Sequence, residues 1–157
     1  MAGILEGIKV VEMGVLVAIP AATATMADWG ADILKIEPLE GEMTRHVDAL
    51  EDQDDPAAAL PSNNWRFQVL NRGKRSMAID LKTEAGRDIV YRILREADIF
   101  LTNYTPSSVS GLGMDYQTLI RINPKLVYGS LNGFGTKGPD RDLRGLDYTA
   151  AWARGGL

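Results

Sequence analysis

Between Asn71 and Pro106 the chain reads NRGKRSMAIDLKTEAGRDIVYRILREADIFLTNYTP, in which an apolar run, a helical run and a second apolar run follow in succession. That grammar constrains the fold more than any other feature, because parallel strands need a long crossover between them and a helix supplies it. Met77 to Leu81 reads as one strand. Thr83 caps a helix through Ala97, with Ile89, Val90, Ile93, Leu94 and Ala97 on one face at helical spacing. Asp98 to Leu101 forms the strand that follows.

The same alternation continues on both sides. Ile8 to Met13 (IKVVEM) is a β-branched run, and Pro20 stands where a helix can begin. Gly30 is a natural stop for that helix, and Ala31 to Glu37 gives the next strand, closed by Pro38. Further on, Asp115 caps a shorter helix that Pro124 ends, Leu126 to Leu131 makes a fifth strand, and DYTAAWARGGL opens another helix. Strands alternating with helices predict an α/β protein with a Rossmann-like, doubly wound, mainly parallel sheet. The 157 residues suit one compact domain, 1–157. Within it, residues 39–64 lose periodicity. Five acidic residues between Asp48 and Asp55 and two prolines predict an exposed irregular excursion there.

Charge and composition exclude several functions. A net charge of −4 argues against nucleic-acid binding, which needs a broad basic face. No apolar run reaches the length of a membrane span, and MAGILEGIK lacks the basic and apolar regions of a signal peptide, so the expected location is cytoplasmic. The absence of cysteine removes thiol catalysis, disulfides and cysteine-ligated metal. His46 is the sole histidine and reads as an exposed loop residue. The acidic patch Glu51, Asp52, Asp54 and Asp55 lacks regular ligand spacing, and no metal site is expected.

Certain turns carry more chemistry. A dinucleotide fold places G-x-G-x-x-G after its first strand, whereas here Gly14 is followed by Val15-Leu16-Val17-Ala18-Ile19-Pro20, which disfavours NAD(P). The small residues Ala18, Ala21 and Ala22 fit either a ligand near the backbone or simple helix–sheet packing. Arg72, Lys74 and Arg75 read either as a solvated loop or as a basic cluster near a bound phosphate. Lys82 follows Asp80-Leu81 at the carboxyl end of a strand, where open α/β sheets bind ligands. Asn103-Tyr104-Thr105-Pro106 ends the next strand on the same edge, as plain turn chemistry or as a platform in which Tyr104 stacks on a planar base. Gly133 to Pro139 is a glycine loop without the P-loop order, so ATP hydrolysis is rejected.

Taken in order, LEGIKVVEMG, AIPAATATMADWGADILKIEP, GEMTR, NRGKRSMAIDLKTEAGRDIV, ADIFLTNYTPSSVSGLGMDY, NPKLVYGSLNGFGTKGPDRD and GLDYTAAWARGG resemble the N-terminal part of the family III CoA-transferases. That superfamily includes formyl-CoA transferase, carnitine CoA-transferase and α-methylacyl-CoA racemase. The resemblance implies coenzyme A as a substrate, with no further cofactor. It places CoA contacts on Val17 and Ala18, on Ile79, Asp80, Leu81 and Lys82, on Asn103, Tyr104 and Thr105, and near Gly145 and Asp147. It also implies an interlocked homodimer, acyl-CoA and carboxylic acid substrates, and an aspartate nucleophile beyond Leu157. On that basis no catalytic residue is assigned within this chain, whose share is CoA binding. Val17, Pro38 and Gly111 stand where formyl-CoA transferase carries glutamine and arginines, which argues against formyl-CoA or oxalate. Leu146 replaces the histidine of the racemases' G-H-D motif, and leucine cannot move a proton. Two rivals remain: a non-catalytic CoA-binding or partner subunit, and a Rossmann oxidoreductase using NAD(P).

Overall fold

The computed structural model describes residues 3–46, 64–146 and 148–156. Its elements run β1 (Lys9–Met13), α1 (Ala18–Asp28), β2 (Asp32–Glu37), a 3-10 turn (Met43–Arg45), α2 (Trp65–Asn71), β3 (Lys74–Ala78) and α3 (Glu84–Leu94). They continue as β4 (Ile99–Thr102), α4 (Pro106–Gly111), α5 (Tyr116–Ile122), β5 (Val127–Ser130), a π-helical turn (Tyr148–Trp152) and α6 (Ala153–Gly155). All neighbouring strands pair parallel, in the order β3-β2-β1-β4-β5. The chain therefore winds outward from β1 in one direction, returns, and winds outward in the other. Among the described residues no helix is long and apolar enough to cross a membrane.

Strand parity decides what each face meets, since successive side chains point to opposite sides. Val11, Met13 and Phe100 face one layer and are buried with Val90 and Leu94 of α3 and Leu119 of α5. Val10 and Ile33 face the other layer, where Met26 and Ala27 of α1 pack beside them. A parallel sheet covered on both faces follows, as its apolar strands require. The caps are local: Thr83 accepts from the Gly86 amide at 3.1 Å, and Asp115 accepts from that of Thr118 at 3.1 Å. Gly30, at φ 97°, turns the chain out of α1 into β2.

Glu12 and Lys35 share the face of Val10 and Ile33, so a polar group lands under α1. Glu12 is fully buried and accepts from Lys35 Nζ at 2.7 Å, Lys74 Nζ at 2.8 Å and Thr23 Oγ1 at 2.6 Å. Lys35 also donates to the Gly14 carbonyl at 3.0 Å, and Lys74 to that of Pro20 at 2.8 Å. Burial pushes the Lys74 ammonium below the usual lysine value, against the pull of Glu12. One carboxylate thus joins β1, β2, β3 and α1.

Two expectations are corrected. The third strand is Lys74–Ala78, with Ile33 paired to Lys74 and Glu37 to Ala78, rather than Met77 to Leu81. It is an edge strand, and edge strands carry charge more readily than central ones, so KRSMA hides its β character. Helices α2 and α4 are additions: no element is read from the sequence over 65–71, and at α4 only the turn Asn103–Pro106 at its start. Finally, within 39–64, residues 39–46 and 64 are not simply exposed: Glu42, Thr44 and Asn64 are buried, and Asn64 Nδ2 donates to the Thr44 carbonyl at 2.6 Å. Residues 47–63 lie outside those described.

Replacing Glu12 with alanine strands two buried lysines against each other. Urea melting of Glu12→Ala is expected to show a loss of about 3–5 kcal/mol, the usual cost of removing one partner from a buried ionic group.

Candidate functional site

The carboxyl ends of four strands meet around a cleft of about 270 Å³. Met13 closes β1, Ile36 and Glu37 close β2, Ile79 to Lys82 follow β3, and Tyr104 follows β4; all of them line it. Pro38, Leu39, Glu40 and Leu112 complete the wall. Its floor is apolar (Met13, Ile36, Leu81), and its polar groups are at the sides. Lys82 is exposed, and its ammonium pairs with no carboxylate among the described residues. The backbone beneath it is firmly set: Asp80 Oδ1 accepts from the Lys82 amide at 2.9 Å, and Arg87 donates to the Leu81 and Lys82 carbonyls at 3.1 and 3.0 Å.

One side of the cleft is braced by Glu37. Arg45 grips it with two nitrogens at 2.6 and 2.7 Å, the Glu42 amide donates at 3.0 Å, and Ser76 donates its hydroxyl. Burial alone would raise this carboxyl, but hydrogen bonds from Arg45, Ser76 and the Glu42 amide prevail and hold it down at about 2. The guanidinium of Arg45 also lies over the Phe67 ring at 3.9 Å from its centroid, so α2 seats the brace. Tyr104 is half-buried, and its hydroxyl is pushed up by burial and then by the charges of Glu42 and Glu37.

The expected site residues separate into groups. Ile79, Asp80, Leu81, Lys82 and Tyr104 come together in the cleft. Asn103 stands beside it but spends both polar atoms on the β1–α1 turn: Oδ1 accepts from the Val15 amide at 2.9 Å and Nδ2 donates to its carbonyl at 2.8 Å. Thr105 caps α4. Val17 is the N-cap position of α1, without a side-chain cap, and both it and Ala18 are exposed. Gly14 packs tightly instead of curving around a ligand, since a Cβ there would stand 2.7 Å from Ile19 and 3.2 Å from Glu12 Oε1. Gly145 lies against Gly133, where a Cβ would meet backbone at 2.3 Å. Asp147 lies outside the described residues.

The phosphate-proximal reading of Arg72, Lys74 and Arg75 is corrected. Strands all point one way and the helices return, so the start of β3, the start of β2 and the end of α1 share the amino edge, opposite the cleft. There Arg72 pairs with Asp28 and Arg75 with Asp32 at 2.7 Å, while Lys74 turns inward to Glu12. The misplaced start of β3 is the cause. Sequence reasoning also passed over Glu37, Glu42 and Arg45; the signal was present in the polar end of DILKIEP and in GEMTR.

With this geometry in view, comparison with known proteins is decisive. The model of CoA-transferase family III matches residues 5–157. The chain belongs to that family. It is 40% identical over 152 residues to a cinnamoyl-CoA:phenyllactate CoA-transferase of Clostridium sporogenes, covering 97% of this chain and 36% of that protein. It is 39% identical over 150 residues to a succinate–glutarate CoA-transferase of Agrobacterium fabrum, covering 92% and 36%. Among solved structures, a CAIB/BAIF family protein from Brucella suis superposes with a TM-score of 0.83 at 35% identity, over all of this chain and 40% of that one. The chain therefore spans a little over a third of the length of these relatives.

Two outcomes follow for this family III chain. Because the folded Glu37 carboxyl is depressed to about 2, its contribution is present above the ordinary value of 4.5 and is lost as pH falls through the folded value. Urea midpoints of the unsubstituted protein and Glu37→Gln should differ at pH 6 and converge as pH falls from about 5 towards 2. Arg72→Ala and Arg75→Ala, each removing an exposed ion pair at the far edge, should leave the urea midpoint nearly unchanged in the same melts.

Proposed function

We propose that this chain is the CoA-binding portion of an enzyme that moves CoA from an acyl-CoA donor to a carboxylic acid. The observation that carries this is the convergence of four strand ends on an apolar cleft with an ammonium at its rim, that of Lys82, which meets no carboxylate among the described residues. Phosphates suit such a rim, because a hydrogen bond to a charged group contributes about 1.5–3 kcal/mol. The adenine ring suits the interior, lying against Tyr104 over Met13 and Leu81, where aromatic and apolar side chains bind planar rings well. The cleft is just below the common pocket range of ~300–1,000 Å³, which fits the nucleoside end of CoA better than the whole molecule. The pantetheine arm then passes towards Val17 and Ala18 at the start of α1. Glu37 and Glu40 in the wall exclude a second anion from the interior.

The transfer itself needs a carboxylate nucleophile, which the remaining length of the relatives would supply as an aspartate. Its oxygen attacks the thioester carbonyl, giving a mixed anhydride and free CoA thiolate. The thiolate attacks the aspartyl carbonyl, forming an enzyme thioester and releasing the donor acid. The acceptor carboxylate then attacks that thioester, and the thiolate released takes the acceptor's acyl group, restoring the aspartate. Splitting one transfer into steps of this kind is what covalent catalysis provides. In this reading the whole protein works in the cytoplasm as a homodimer. The named relatives are a cinnamoyl-CoA:phenyllactate and a succinate–glutarate CoA-transferase; with Val17 and Pro38 in place of the glutamine and arginine of formyl-CoA transferase, formyl-CoA is not the donor proposed here.

Calorimetric titration with CoA tests the assignment. Lys82→Ala should raise Kd about 10- to 100-fold and Tyr104→Ala about threefold. Binding that is unaltered in both variants would place CoA elsewhere.

A further inference from the structure

Four residues, Gly14 to Val17, join β1 to α1, and their backbone is held from three directions. Lys35 Nζ, from β2, donates to the Gly14 carbonyl at 3.0 Å. Asn103, after β4, takes both the amide and the carbonyl of Val15, at 2.9 and 2.8 Å. The buried carboxylate of Glu42 accepts from the Leu16 amide at 3.3 Å. Leu16 itself stands at φ 59°, the single non-glycine in the left-handed region among the described residues. A leucine there costs energy that only its surroundings can compensate. The conformation is therefore imposed on the turn from outside.

Of the three clamps, that of Asn103 engages donor and acceptor of one peptide segment together, directly before the strained residue. Its side-chain oxygen and nitrogen each bond to Val15, and Asn103 does not line the cleft. We propose that Asn103 is a positioning residue: it fixes the β1–α1 turn in its left-handed conformation and so acts on CoA through the exposed start of α1 at Val17 and Ala18, without touching CoA itself. This rests on the CoA-binding reading above. It departs from that reading's first expectation for Asn103, which was direct contact.

Lys35 and Glu42 limit the alternatives. They secure the residues on either side of Val15, so the turn stays attached when Asn103 is replaced, and what changes is its conformation. Tyr104, next in sequence, lines the cleft while Asn103 does not. Adjacent residues after β4 thus divide two tasks, one facing the ligand and one facing the turn.

Hydrogen exchange on ligand-free protein, paired with CoA calorimetry, decides the matter. In Asn103→Ala the Val15 amide should lose protection by about tenfold or more, the loss of one net hydrogen bond, and the Kd for CoA should rise by a comparable factor. Asn103→Asp keeps the acceptor for the Val15 amide but sets a carboxylate against its carbonyl. It should weaken CoA binding together with the protection of the Leu16 amide, which belongs to the same peptide group as that carbonyl, and it serves where the alanine variant fails to fold. Leu16→Gly, which tolerates positive φ, should restore at least part of the affinity lost in either variant. Weakened CoA binding in Asn103→Ala with Val15 protection unchanged would mean direct contact and overturn the proposal, as would failure of Leu16→Gly to restore any affinity. If the unsubstituted protein binds no CoA, the function proposed above falls; Val15 protection in Asn103→Ala still decides who holds the turn.

Discussion

The carboxylate of Glu12 organises this fold. It sits beneath α1 with a lysine from each of the next two strands and a threonine from the helix, so β1, β2, β3 and α1 share one ionic group. A buried carboxylate left alone would be costly, and so would either lysine, which means that each element requires the others in place. An apolar core could hold the same layers together with less selectivity. The ionic group adds register: shift β2 or β3 by one residue and its lysine moves to the opposite face.

Register in turn builds the site. With β1, β2 and β3 locked side by side, their carboxyl ends arrive at one level, and the crossover to β4 brings Asn103 and Tyr104 alongside. The cleft forms where those ends meet, and Glu37 with Arg45 stiffens one wall. Among the described residues Lys82 meets no carboxylate, whereas Arg72 and Arg75 are paired on the far edge, Lys74 in the core and Arg45 in the wall. The cations around the cleft thus divide into those paired within the fold and Lys82, which faces solvent beside a concave apolar surface.

Much of the architecture was legible in the chain. The alternation of β-branched runs with helical spacing, the caps at Thr83 and Asp115 and the stop at Gly30 are local signals, and local signals survive folding. The third strand was not legible, because an edge strand of lysine, arginine and serine has no apolar alternation to display. Helix α2 was hidden by its position after an acidic, proline-containing stretch. The basic cluster was misjudged for the same reason as the strand: without the correct start of β3, the direction in which Lys74 and Arg75 project could not be known.

The sequence by itself determined the layer plan and the family to which the chain belongs, because periodicity and ordered motifs need no third dimension to be read. Tertiary structure alone decided which charges serve the fold and which face a ligand. Lys74 and Lys82 lie eight positions apart in the same unit, with equal intrinsic charge. One points beneath a helix to a carboxylate brought from another strand, and the other stands at the rim of a cleft made by four strand ends. That difference lies in partners distant along the chain, and only packing brings them within reach.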